Sequence, residues 1–146
     1  TITQQVVKNL YLSHKRSFYR KFNEMILAAV LEVLADKKWI LEQYLNVAEF
    51  GPNIFGVKQA SWHYFRKSPS ELSYRQGAFL AMLLPSPTRY GESFRKAELT
   101  EFAQTQIESI LTKLVQAKII TEQEKQLELM DTFNWEVLPE EDFFFP

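Results

Sequence analysis

The sequence predicts a mostly α-helical domain, and three observations carry the prediction. Apolar residues recur at the 3.6-residue helical period in one segment after another. Side chains of the helix-capping type stand in front of those segments. No βαβ alternation, glycine-rich phosphate loop or repeat of about 20–50 residues appears, which disfavours Rossmann, P-loop and solenoid architectures. At 146 residues, 46% of them hydrophobic, the chain is long enough to bury a core and short enough to be one domain.

The elements follow in order. Ile2, Val6, Val7 and Leu10 mark a short helix over 2–12, with Gln4, Gln5 and Lys8 on its polar side. Ser17 then caps a helix over 17–35, whose Phe18, Phe22, Met25, Ile26, Ala29, Val30, Val33 and Leu34 trace an apolar stripe. Asp36 caps the next helix, 37–46, with Trp39, Ile40, Leu41, Tyr44 and Leu45 as its apolar wall and Asn46 at its end.

Gly51-Pro52-Asn53 breaks the chain, and Gly56 allows a tight approach into a helix over 57–65. Ser68-Pro69-Ser70 reads as another turn. Ser73 and Gln76 form a capping-box pattern ahead of an apolar run to Leu84, which Pro85 and Pro87 terminate. A helical period returns over 100–117, and Thr121 with Glu124 makes a second capping box. Residues 1–96 read as the core of the domain, 97–130 as its C-terminal helical region and 131–146 as a tail ending in Phe143-Phe144-Phe145-Pro146.

The most unusual local chemistry lies between His14 and Glu24. Arg16, Arg20 and Lys21 surround one carboxylate, Glu24, in a chain whose net charge is only -1. In a helix, Arg20 and Lys21 fall four and three positions before Glu24 and share its face. Such a set suits an anionic phosphate beside an acid. The ordinary alternative is a solvated salt-bridge face, in which each pair contributes only about 0.2–0.5 kcal/mol.

Several classes are excluded or disfavoured. Near-neutral charge without a basic stripe argues against a nucleic-acid partner. With no cysteine and two scattered histidines, His14 and His63, disulfides and a zinc motif are out. No run reaches the roughly 18–20 apolar residues of a membrane span. Because the chain opens at Thr1 without a methionine, it reads as a fragment whose upstream anchor has been lost.

Three ordered motifs carry a resemblance: Thr1-Ile2-Thr3-Gln4-Gln5, Arg20-Lys21-Phe22-Asn23-Glu24, and Ile40-Leu41-Glu42-Gln43-Tyr44-Leu45-Asn46. In that order and spacing the chain resembles the lysozyme-like transglycosylase domain of bacterial peptidoglycan glycosyltransferases. Val47-Ala48-Glu49-Phe50-Gly51, Phe55-Gly56-Val57 and Tyr64-Phe65-Arg66-Lys67 look closer to monofunctional biosynthetic transglycosylases than to bifunctional penicillin-binding proteins. The likeness covers roughly residues 1–90. Two departures are Arg75-Gln76-Gly77, in place of an acidic, alanine-rich helix opening, and a missing arginine around Gln106.

The resemblance implies transfer of a growing glycan from undecaprenyl pyrophosphate onto the 4-hydroxyl of lipid II, extending a β-1,4 strand at the outer face of the bacterial cytoplasmic membrane. By the same resemblance Gln5, Lys8, Arg16 and Lys21, with Glu24, line the pyrophosphate side of the substrate, and Arg20 is a further cation available to it. Glu24 matches the second acidic residue, and a divalent cation such as Mg²⁺ is expected in support. The implied partners are lipid II, the glycan chain, the membrane surface and cell-wall synthesis proteins. The general-base glutamate of the family lies upstream of the Thr1 segment, so the domain is expected to be incomplete at its N-terminus and this chain inactive alone. The competing reading is a non-catalytic module of the same ancestry that binds a lipid pyrophosphate or an envelope partner.

Other residues read as structural. Glu42, Tyr44 and Asn46 are expected to serve the helix, and Glu49 to be a surface carboxylate, the alternative being a place at the edge of the cleft. Trp39, Phe55 and Trp62 read as core, and His63 as packed beside Trp62 and Tyr64. Phe18, Tyr19 and Phe22, next to Arg16, Arg20 and Lys21, are candidates for a membrane-interface surface.

Overall fold

In a computed structural model, residues 1–12 and 17–136 are described. The predicted His14 loop, Arg16 and the Phe-rich end of the tail lie outside them. The helical prediction holds: α1 (Ile2–Tyr11), α2 (Phe18–Leu34), α3 (Lys37–Val47), α4 (Val57–Phe65), α5 (Tyr74–Leu83), α6 (Pro87–Tyr90), α7 (Glu92–Lys96), α8 (Glu101–Gln116) and α9 (Glu122–Met130). Between α3 and α4 sits a hairpin, β1 (Glu49–Gly51) and β2 (Ile54–Phe55), antiparallel with Glu49 opposite Phe55. Strands of three and two residues are too short for alternation to show in sequence.

The caps form as the sequence implies. Ser17 Oγ accepts from Arg20 N at 3.1 Å, and Asp36 Oδ1 from Trp39 N at 2.8 Å. Ser73 with Gln76 and Thr121 with Glu124 close both capping boxes. Each satisfies a helix-start N–H that would otherwise lack a partner. Asn46 departs from its expected role: α3 runs one residue further, to Val47, and Ala48 is its C-cap.

Gly56 adopts φ 81°, and a Cβ there would stand 2.6 Å from the Asn46 carbonyl oxygen. Only glycine lets α4 start that close to the end of α3. Behind the hairpin, the buried Tyr64 donates its hydroxyl to the Phe50 carbonyl at 2.8 Å. Its ring meets Phe79 and Phe94 edge-on, with centroids 5.5 and 4.8 Å apart.

The core runs through α3, the hairpin, α4, α5 and α8. It also takes in part of what the sequence placed in the tail. Phe133 and Trp135 are 1% and 5% exposed; they stack on each other and contact Phe79. Arg75, the departure at the start of α5, explains how that segment is held. Its buried guanidinium lies 4.9 Å over the Phe133 ring, and Nη1 donates to the carbonyls of Glu128 and Leu129 at 3.2 Å each.

The apolar stripe of α2 faces outward, as expected of Phe18, Tyr19 and Phe22: Phe18 is 98% and Val33 84% exposed, and Phe22, Met25, Ile26 and Val30 are exposed as well. The residues of α2 that are buried are Glu24 and Ala28, one helical turn apart, and α2 packs on α1. Periodicity identifies an apolar face but not what covers it. Trp39, Phe55 and Trp62, expected in the core, are exposed at the surface.

Candidate functional site

Helix α1 shows two stripes. Thr3, Val6 and Val7 are buried, while Gln5, Lys8 and Asn9, at spacings of three and four, share an adjoining exposed face. That face forms one wall of a cleft of ≈ 340 Å³. Tyr44, Ala48 and Glu49, from the end of α3 and the start of β1, form a second wall, and Leu84, Pro85 and Pro87 close the third. Lys8 stands in the last turn of α1, where the negative end of the helix dipole favours a cation.

Among the described residues, the side chains of Gln5, Lys8, Asn9 and Glu49 make no hydrogen bond or ion pair. Tyr44 lies against the same space, and its burial raises the phenol above its ordinary value of 10.0, so it is a neutral hydroxyl at physiological pH. Two amides, an ammonium, a carboxylate and a phenol thus surround one opening, ready to bind polar groups of a ligand. Gln4, beside them in sequence, is used otherwise: its side chain completes the capping box with Thr1.

The acid on α2 is not among the residues that line this cleft. Glu24 is 4% exposed, and its Oε1 accepts from Lys21 Nζ at 2.8 Å. It faces the protein with Ala28, and neither Glu24, Arg20 nor Lys21 lines the cleft wall. Sequence reasoning gathered the whole set around one phosphate. The structure sets Gln5 and Lys8 on one cleft wall and pairs Lys21 with Glu24, while Arg16 lies outside the described residues. Sequence reasoning undervalued Glu49, because a lone glutamate before a turn carries no signal until the fold shows what stands opposite.

Two other concavities are larger. One of ≈ 390 Å³ lies among α5, α8 and α9, and one of ≈ 490 Å³, mostly apolar, among α1, α2 and α3. Neither is lined by a residue that the sequence marked for binding. Among the described residues no three histidine, aspartate or glutamate side chains converge as a metal site. Among them, too, no helix is long and apolar enough to cross a membrane.

The cleft on α1 falls within the stretch that also carries the ordered motifs, and a family model described as transglycosylase matches residues 1–115. The chain belongs to the transglycosylase family. Among its relatives, a biosynthetic peptidoglycan transglycosylase of Pasteurella multocida (strain Pm70) is 60% identical over 87 residues, which are 60% of this chain and 35% of the relative. A namesake from Marinomonas sp. (strain MWYL1) is 60% identical over 87 residues, 60% of this chain and 39% of the relative. One from Brucella suis biovar 1 (strain 1330) is 49% identical over the same length, again 60% and 39%. The matched part of this transglycosylase chain thus spans little more than a third of the length of these relatives.

Proposed function

We propose that the protein to which this chain belongs is a peptidoglycan glycosyltransferase that polymerises lipid II. The 4-hydroxyl oxygen of one lipid II attacks the anomeric carbon of the growing strand. The bond from that carbon to the pyrophosphate oxygen breaks, a β-1,4 bond forms, and the hydroxyl proton passes to a general base. Undecaprenyl pyrophosphate is released, and its rising negative charge is the group most in need of stabilisation.

One observation carries the reading: in the family-matched part of the chain, a cleft whose Lys8 ammonium and Gln5 amide have no partner among the described residues. Preorganised donors of this kind stabilise a departing diphosphate without reorganising at the moment of reaction. Glu24 holds the Lys21 ammonium at 2.8 Å on α2, the helix that packs on α1. A divalent cation such as Mg²⁺ would arrive on the pyrophosphate oxygens, with Glu24 supplying a single ligand at most. The aromatic and cationic start of α2, Phe18, Tyr19 and Phe22 with Arg20 and Lys21, suits contact with the membrane that holds the lipid substrate. Localisation at the outer face of the bacterial cytoplasmic membrane and contact with cell-wall synthesis proteins belong to the same proposal.

The test is polymerisation of lipid II by the full-length protein. Lys8→Ala and Glu24→Gln are each expected to slow it by at least about 10²-fold, the scale of losing one strong electrostatic contributor. Near-wild-type turnover in Lys8→Ala would remove the cleft from the reaction. Absence of any polymerisation by the folded wild type would leave a non-catalytic binder.

A further inference from the structure

Glu49 and Lys8 carry opposite charges, line the same cleft of ≈ 340 Å³, and do not pair. Elsewhere in the molecule such side chains do find one another, as Lys21 with Glu24 at 2.8 Å and Lys96 with Glu92 at 2.6 Å. An ammonium and a carboxylate that stay apart in one concavity leave room for a ligand of mixed polarity. Its acceptor-rich end belongs near Lys8 and its donor-rich end near Glu49.

The mounting of Glu49 supports this. It opens β1 opposite Phe55, and its neighbour Phe50 is buried with its carbonyl bonded to Tyr64 Oη at 2.8 Å. The Ala48 carbonyl just before it accepts from Gly56 N at 2.8 Å. The backbone on both sides of Glu49 is therefore fixed, which a merely solvating carboxylate does not need. Side chains set on strands and held by packed neighbours define positions better than those on free loops.

We infer that Glu49 reads the sugar of the pyrophosphate-linked substrate. This rests on the glycosyl-transfer reading and assigns a direction within its cleft. The carboxylate accepts hydrogen bonds from the hydroxyl or acetamido N–H groups of the sugar, and its charge repels the diphosphate toward Lys8 and Gln5. Glu49 is thereby a specificity-determining residue, because it fixes which end of the ligand enters which end of the cleft. Asn9, on the face it shares with Gln5 and Lys8, adds both a donor and an acceptor for the same hydroxyls.

Two soluble probes separate the roles: farnesyl pyrophosphate, and the same molecule carrying N-acetylglucosamine on its terminal phosphate. Binding of each to the full-length protein is measured by calorimetry. Lys8→Ala should weaken both by about tenfold, whereas Glu49→Ala should weaken only the sugar-bearing probe by about tenfold, the range of one lost charge-assisted hydrogen bond. Glu49→Gln should retain part of the affinity through its carbonyl oxygen. The melting temperature of Glu49→Ala should stay at the wild-type value, because the carboxylate has no partner to lose. Equal weakening of both probes by Glu49→Ala, or no change in either, overturns the inference while leaving glycosyl transfer intact. If the wild type binds neither probe, the glycosyl-transfer reading falls and this inference with it.

Discussion

Replacing Arg75 by Met tests how the C-terminal segment is tied to the rest of the domain. Arg75 is 6% exposed, and its guanidinium donates through Nη1 to two carbonyls at the end of α9, at 3.2 Å each. Hydrogen bonds from a charged group contribute about 1.5–3 kcal/mol, and at this length the lower figure applies, giving about 3 kcal/mol for the two. The guanidinium over Phe133, 4.9 Å from its centroid, adds about 1 kcal/mol. Against this, Met removes a buried charge whose desolvation costs energy and fills much of the same space, which returns about 1–2 kcal/mol. The contact between the Arg75 backbone N–H and Glu128 Oε2, 2.8 Å, survives the substitution. The expected net loss is therefore about 2–3 kcal/mol, a substantial part of the roughly 5–15 kcal/mol that stabilises a domain.

Urea denaturation of wild type and Arg75→Met measures that difference. Hydrogen exchange locates it, with faster exchange expected first in α9 and residues 131–136. A loss below about 0.5 kcal/mol, with exchange in α9 unchanged, would refute the assignment of Arg75 as the tie between α5 and the C-terminal segment.

Two further outcomes are expected. Gly56→Ala should destabilise by more than about 2 kcal/mol, because φ 81° is strained for alanine and the added Cβ would lie 2.6 Å from a backbone oxygen; an unchanged denaturation midpoint would contradict the close approach. His63 is held below its ordinary value of 6.5, first by burial and then by the Arg66 charge. The fold therefore favours neutral imidazole, the unfolded chain takes up the proton first as pH falls through 6.5, and the contribution present above that pH is lost below it. The wild-type melting temperature should accordingly fall more steeply below that pH than that of His63→Gln, and parallel curves would contradict the shift.

Local signals in the sequence were the ones that survived folding. Ser17, Asp36, Ser73 and Thr121 cap the helices they precede, because a cap depends on residues three positions apart and on nothing distant. Gly56 likewise sits where the chain needs a positive φ. The hairpin and the short helices α6 and α7 were not legible, since elements of two to five residues are too brief for periodicity to register. Phe133 and Trp135 escaped notice because nothing local distinguishes an aromatic in a tail from one returning to the core; the buried Arg75, far off in sequence, decides it.

For the candidate site, the ordered motifs chose Gln5 and Lys8, and the spacing of Lys21 and Glu24 dictated their ion pair. Which face of α2 turns toward the protein was a question of packing. A helix exposes all its faces to sequence reasoning equally, and only its neighbours select which one is buried. On α2 they select Glu24 and Ala28 over the apolar stripe. The place of Glu49 was likewise settled by tertiary structure, which sets a carboxylate at the head of a strand against an ammonium on a helix some forty residues earlier. Short-range order follows from chain chemistry, while the pairing of distant charges follows from packing, which the linear sequence does not state.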